Sequence, residues 1–240
     1  IGCSVSGVAQ FVTYKGLSEL RKWLMEGYET IQEWDKMYSD WMAIPKSIKT
    51  TSVKPSGTVS LLVGATPGIH FPESRFYIRR MRLSKHSQLV EPLEKAGYKV
   101  EKAFGSEDTT VVVEVPVDVG EGIRTAKELS IWEQFSMAAF MQRYWADNQV
   151  SCTITFDSET EGNQIKPALD IFQYQLKGIS LLPRKNGGAY KQMPYEAIDE
   201  DTYNRMVDSL KSVSFSGIRG EEAEVDKFCN NDVCDIPETV

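Results

Sequence analysis

The sequence predicts an α/β protein, with strands of a parallel sheet or barrel and helices packed outside. Three observations carry that reading. From about residue 46 to 183, β-branched strand segments alternate with segments of helical period. The helical segments are amphipathic or apolar nearly all round, as helices that cover a sheet must be. After Pro183 the texture changes, so the regular pattern ends there.

The elements follow in order. Leu17, Leu20, Leu24, Tyr28, Ile31, Trp34, Tyr38 and Trp41 recur at spacings of three and four, which predicts a helix from about Leu17 to Met42, ended by Pro45. IKTTSV (Ile48 to Val53) reads as a short strand. KPSGTVSLLVG then gives a Pro-Ser-Gly loop and the start of a helical turn. SQLVEPLEKAGYKVE reads as a helix closed near Gly97, and TTVVVEVPV (Thr109 to Val117) is the strongest strand signal. A long helix from about Arg124 to Trp145 carries Ile131, Trp132, Phe135, Met137, Phe140, Met141 and Tyr144 around its circumference, which predicts burial on several sides. VSCTITF (Val150 to Phe156) is a strand, NQIKPALDIFQYQLKG a helix that Gly178 can close, and ISLLP a short buried strand stopped by Pro183. Beyond it, RKNGGAYKQMPYE is loop-like, EDTYNRMVDSLKSV a surface helix, and the remainder, with its acidic EEAEVD, a tail.

Composition bounds the function. The chain has 240 residues, 41% hydrophobic, 25% charged and 10% aromatic, enough for one large domain or two small ones with ample core. A formal charge of −7 argues against a general nucleic-acid surface. The nearest basic cluster, Arg75, Arg79, Arg80, Arg82 and Lys85, reads as a solvated face or as an anion site. No apolar run is long enough to span a membrane. The first residues, IGCSVSGVAQF, carry no signal-peptide pattern and no initiator Met, which predicts a piece of a longer chain. Four cysteines make no disulfide scaffold, so a reducing, cytosolic setting is expected.

Four features could carry chemistry. In KPSGTVS, Gly57 lets the backbone approach a ligand, and Ser56, Thr58 and Ser60 add hydroxyls at a helix start with unpaired amides. That is a phosphate cradle or an ordinary helix cap; GxxxxGK[ST] is absent. His70 and His86 have no metal-ligand neighbours at useful spacing, and read as loop structure and a surface residue. Cys152 alternates within a strand and reads as core; Cys3 stays unassigned. Cys229 and Cys234 sit five positions apart among polar and acidic residues near the last residue. Two thiols supply half a zinc site, and a disulfide there would close a short loop around no core. A third use is a dithiol that carries reducing equivalents by exchange.

Three stretches, SVKPSGTVSLLVGATPGIHFPESRFYIRRMRL, WADNQVSCTITFDSETEG and LKGISLLPRKNGGAYKQMPYE, together resemble the C-terminal part of ribonucleotide reductases, most of all their adenosylcobalamin-dependent, monomeric, triphosphate-reducing branch. The resemblance runs over nearly the whole chain. It implies the C-terminal portion of a ten-stranded α/β barrel over 1–183, an appended loop and surface helix over 184–218, and a flexible dithiol tail over 219–240. It implies that Ser56, Gly57, Thr58, Val59 and Ser60 hold the phosphates of a ribonucleoside triphosphate. Cys229 and Cys234 would re-reduce the active-site disulfide and be reduced by thioredoxin or a similar dithiol. Adenosylcobalamin is the implied cofactor, with no residue assigned to it and no protein metal site.

Two departures refine the resemblance. Iron-dependent large subunits carry adjacent tyrosines on the strand matching ISLLP, whereas this chain has Leu181 and Leu182, which cannot relay a radical. No Asn-Pro-Cys-x-Glu finger loop occurs, nor the two cysteines that reduce the ribose. Those elements, and the allosteric specificity site, are expected upstream in the same enzyme, and the segment alone is expected to be inactive. The rival readings are an iron-type large subunit that lost its relay and a degenerate nucleotide-binding domain kept for interaction.

Overall fold

The computed structural model describes residues 2–57, 59–184, 191–214 and 216. Thr58, Cys229 and Cys234 lie outside the described residues, as does the whole span 219–240 expected to be the tail. The elements run α1 (Val8–Met42), β1 (Phe76–Ser84), α2 (Val90–Lys95), β2 (Lys99–Lys102), β3 (Thr110–Asp118), α3 (Ile131–Tyr144), β4 (Thr153–Phe156), α4 (Ile165–Phe172), β5 (Ser180–Pro183), β6 (Tyr195–Ala197) and α5 (Glu200–Asp208). They fall into two compact units, Ile1–Arg75 with Val119–Gly187, and Phe76–Asp118 with Gly188–Val240.

The first unit holds the parallel pattern. Cys3 bridges Thr51, and Val53 bridges Val150, both in parallel. The Cys3 amide donates to the Thr50 carbonyl (2.8 Å), the Ser52 amide to the Cys3 carbonyl (3.0 Å), and the Ser151 amide to the Val53 carbonyl (2.9 Å). β4 then pairs in parallel with β5 from Thr153↔Ser180 to Phe156↔Pro183. Four extended segments therefore stand side by side in chain order, with α1, α3 and α4 in the three crossovers. A parallel neighbour can be reached only by such a crossover, and helices supply it. IKTTSV forms its strand only as these bridges, yet Thr50, Thr51, Ser52 and Val53 are all buried.

Helices pack on this wall by the apolar positions read from the sequence. Leu20 and Leu24 of α1 join Val53, Met141, Trp145 and Val150 in one core, with Tyr28 and Ile31 packed against it. Ile131 and Phe135 of α3 join Ile154, Phe156 and Ala168 in a second, where Phe135 stacks on Phe172 at 5.4 Å. Three differences from expectation have local causes. α1 begins at Val8, and Gly16 (φ 81, ψ 167) interrupts it without ending it. Trp34, Tyr38 and Trp41 stay exposed and pack on one another at 5.5 and 5.4 Å instead of entering the core. α3 begins at Ile131, not near Arg124, because Ser130 and Glu133 cap it reciprocally, and Thr125 and Glu128 form a separate box just before.

In the second unit the expectation of parallel pairing fails. β2, β3, β1 and β6 form one antiparallel sheet in that order. The helix meant to provide a crossover, α2, is only six residues long, and the chain turns back as β2 beside β3. The valine-rich strand is β3, with Val111, Val112 and Val113 buried. The basic cluster is neither a solvated face nor an open anion site at Arg80. That guanidinium donates to Glu114 (2.9 Å), Glu196 and the Met193 carbonyl (3.2 Å), while Lys99 pairs with the other Glu114 oxygen at 3.1 Å. Arg79 lies over the Tyr195 ring at 4.6 Å. β5, expected to be buried, leaves Leu182 exposed because among the described residues it pairs only with β4.

Candidate functional site

Parallel segments place all their carboxyl ends at one end of the wall, which is where α/β sheets gather ligands. Here the segment 50–53 delivers Pro55, Ser56 and Gly57, and Val59–Val63 forms one 3-10 turn. Ser56 adopts a left-handed conformation (φ 54), rare for a side chain with a Cβ, and so reverses the chain sharply. Its carbonyl accepts both the amide (3.3 Å) and the hydroxyl (2.5 Å) of Ser60. Ser60 is buried and braces the loop through that hydroxyl, whereas Val59 is 68% exposed. Among the described residues, no backbone carbonyl accepts the amides of Gly57 and Val59. A turn of five residues adds little dipole, so free amides are what this loop offers an anion.

The segment before α1 holds both legs of the loop, a role the sequence did not disclose. Ser4 Oγ accepts the Lys54 amide (2.9 Å), and Ser6 Oγ accepts the Gly68 amide (3.4 Å). The amides of Gly7 and Val8 donate to the carbonyls of Thr66 (2.8 Å) and Gly68 (3.3 Å). The two legs touch at Gly68, where a Cβ would lie 2.5 Å from the Lys54 carbonyl oxygen at φ +49. The signal available was the small-polar run GCSVSG ahead of an apolar helix start.

The same end of the wall carries a carboxylate–guanidinium group. Glu161 accepts the Ile131 amide (2.9 Å) with one oxygen, and the Asp157 amide (2.9 Å) and Arg184 (3.0 Å) with the other. Arg184 also donates to the Ala126 carbonyl at 3.0 Å. Amides of Thr160 and Glu159 hold the Asp157 carboxyl below its ordinary range. These groups are spent on joining β4, β5 and the start of α3.

His70 is also spent structurally. Its Nδ1 lies 3.3 Å from the Pro67 carbonyl, and its Nε2 accepts the Thr153 amide at 3.2 Å, which fixes the neutral tautomer. Burial pushes its pKa down, against the opposing pull of the Pro67 carbonyl. His86 lies at an exposed turn. Cys152 is buried, and burial pushes its thiol up to about 12, so it is core and not a nucleophile. Cys3 is an exposed free thiol. The structure brings together Ser56, Gly57, Val59 and Ser60; it does not describe Thr58, Cys229 or Cys234.

Parallel segments in consecutive order, with helices in every crossover, make the first unit an α/β assembly of the parallel class. The chain belongs to the ribonucleotide reductase barrel-domain family, which is recognised over residues 6–182. It is 55% identical over 240 residues to a probable adenosylcobalamin-dependent ribonucleoside-triphosphate reductase of Dictyostelium discoideum, covering 98% of this chain and 32% of that protein. It is 55% identical over 239 residues to the adenosylcobalamin-dependent ribonucleoside-triphosphate reductase of Euglena gracilis, covering 98% and 33%. Among solved structures, a B12-dependent (class II) ribonucleotide reductase superposes with a TM-score of 0.76 at 34% identity, over 88% of this chain and 33% of that one. The chain thus spans about a third of the length of the curated relatives it matches.

Proposed function

We propose that this chain is part of an adenosylcobalamin-dependent ribonucleoside-triphosphate reductase, in which it anchors the substrate phosphates and carries the reducing dithiol. The observation that carries the phosphate role is the loop at the carboxyl end of segment 50–53, whose Gly57 and Val59 amides have no acceptor among the described residues. Ser56, Gly57, Thr58, Val59 and Ser60 are the phosphate-binding residues in this reading, with Ser60 also holding the loop closed. Anchoring is by backbone amides, as at other phosphate-binding turns. Cys229 and Cys234 pass two electrons to the active-site disulfide and recover them from thioredoxin or a similar dithiol by exchange. That chemistry suits a reducing cytosol, which is the location we propose.

When bound, adenosylcobalamin supplies an organic radical by homolysis of its cobalt–carbon bond. The residues of β5 fit local radical generation: Leu181 packs against the second core and Leu182 is exposed, and neither can be reversibly oxidised. That disfavours an iron-type large subunit fed by a distant radical. The test is deoxynucleotide formation by the polypeptide containing this chain, given a ribonucleoside triphosphate and thioredoxin, with and without adenosylcobalamin. Activity only with the cofactor supports the reading. Activity only with a separate iron or manganese subunit, or nucleotide binding without chemistry, overturns it. Val59→Pro isolates the loop, because proline fits the first position of the turn and deletes one amide. It should raise KM for the triphosphate with kcat little changed.

A further inference from the structure

We infer that Gln10 is a positioning residue for the phosphate loop, an inference that rests on the phosphate role proposed above. Gln10 is the third residue of α1 and is half-buried. Its Oε1 accepts the Thr66 amide at 2.8 Å. Its Nε2 donates to the Gly64 carbonyl at 2.9 Å and to the Val119 carbonyl at 3.3 Å. A glutamine at this place in a helix often reaches back to the amide of the capping residue. Here the Gly7 amide is already taken by the Thr66 carbonyl, and the side chain turns to the loop instead.

Two of the three bonds, to Thr66 and Gly64, fall on the exit of the 3-10 turn. The Gly64 amide donates to the Leu61 carbonyl (3.1 Å), and the Ala65 amide to the Ser60 carbonyl (2.9 Å). Ser60 in turn closes on the Ser56 carbonyl. Residues 64–66 therefore set the pitch of the turn, and the pitch sets where the Gly57 and Val59 amides point. Gln10 ties this exit to a long helix whose Leu20 and Leu24 are locked in the core. Only a carboxamide suits the place, since it must accept on one side and donate twice on the other. Glutamate would set a second oxygen against two carbonyl oxygens. Methionine would keep the length and lose every bond.

The experiment compares Gln10→Glu, Gln10→Met and Val59→Pro in the full-length reductase that contains this chain. It reads KM and kcat for a ribonucleoside triphosphate, and the inhibition constant of inorganic tripolyphosphate as a probe of the phosphate site alone. Gln10→Glu should raise both KM and the tripolyphosphate constant by about tenfold, with kcat within about twofold. Gln10→Met should raise both by a smaller factor, and carries the test if the glutamate variant does not fold. A merely structural role would lower the melting temperature and the active fraction while leaving KM of the remaining enzyme unchanged, and that result overturns the inference. If Val59→Pro raises both constants and neither Gln10 variant does, Gln10 is no positioning residue and the phosphate role stands. If Val59→Pro changes neither constant, the phosphate role falls, and this inference with it.

Discussion

Asp147→Ala should destabilise the first unit by about 3 kcal/mol without altering affinity for a phosphate ligand. Asp147 sits just ahead of the strand segment containing β4, and its carboxylate anchors the start of segment 50–53. One oxygen accepts the amide (2.9 Å) and the hydroxyl (3.0 Å) of Thr50, and the other accepts the Tyr28 hydroxyl at 2.8 Å. Thr50 is 1% exposed, and the Asp147 carboxylate is what covers its amide. A buried amide left unpaired costs about 1–3 kcal/mol, and each hydroxyl bond to a carboxylate adds about 1 kcal/mol. Neighbouring terms do not add fully, because Gln32 still donates to the Thr50 hydroxyl at 2.7 Å, so about 3 kcal/mol is expected.

Urea unfolding followed by tryptophan fluorescence reads this directly, since buried Trp145 donates to the Ser52 carbonyl at 2.9 Å beside the lesion. With a slope of about 2–3 kcal/mol per molar, the midpoint should fall by about 1 M. Tyr28→Phe should cost about 1 kcal/mol as the internal control. The acid limb supplies a second reading. Burial raises the Asp147 pKa, but bonds from the Thr50 amide and Tyr28 outweigh it and hold the carboxyl below its ordinary value. Its contribution is therefore complete above the ordinary value of 3.8 and is lost as pH falls through the lower folded value. The alanine variant should lack that acid step. A midpoint shift below about 0.3 M, or an unchanged acid limb, would refute the reasoning.

The other predictions test different joints. Gly68→Ala forces a Cβ to 2.5 Å from the Lys54 oxygen at φ +49, so it should cost at least about 2 kcal/mol and weaken triphosphate binding as the legs of the loop part. Arg80→Ala leaves Glu114, 5% exposed, with Lys99 as its remaining cation, and should lower stability by about 3 kcal/mol; adding Glu114→Leu should recover most of it in the same denaturation assay. His70, held neutral by burial, contributes stability that is complete above its ordinary value of 6.5 and is lost as pH falls through its lowered folded value, a slope that His70→Gln should remove from a pH series of melting temperatures. Cys229→Ser and Cys234→Ser should spare a single turnover of the full-length enzyme and stop thioredoxin-driven cycling; loss of the single turnover would remove them from the shuttle role.

Much of the wall was legible because its burial is one-dimensional. Leu20, Leu24 and Ile31 mark the inner face of α1 by spacing alone, and VSCTITF announces a strand by alternation. The middle of the chain departs from its sequence pattern for a physical reason. VEPLEKAG has the period of a crossover helix, but a positive φ at Gly97 turns the chain back after one and a half turns, and antiparallel pairing follows. The ionic network explains why the basic run could not be read from sequence: the partners of Arg80 lie 34 and 116 positions away. The candidate site shows the same divide. Gly57 and its neighbours were visible as a local motif, whereas Ser4, Ser6 and Gln10 act on the loop from 50 to 62 positions away, through bonds that no local pattern encodes.

The two ends of the wall differ in how completely their polar groups are used, and this divides stability from binding. At the amino ends, Gln32, Thr50, Asp147 and Tyr28 form a continuous hydrogen-bonded chain, and Lys177 closes the Asp147 carbonyl as well. At the carboxyl ends, Ser4, Ser6 and Gln10 hold a loop whose own Gly57 and Val59 amides are left open, and the Thr66 hydroxyl, itself buried, has no partner among the described residues. Open amides in an exposed, braced loop are held by water until an anion displaces it, whereas a closed network is worth only what its removal would expose. Lesions at the two ends should therefore separate cleanly. Asp147→Ala moves the unfolding midpoint and leaves the triphosphate KM unchanged, while Gln10→Glu moves KM by more than its effect on stability can explain. If instead both lesions changed KM and stability in proportion, the wall would be acting as one elastic body, and no residue at its carboxyl end could be credited with a ligand.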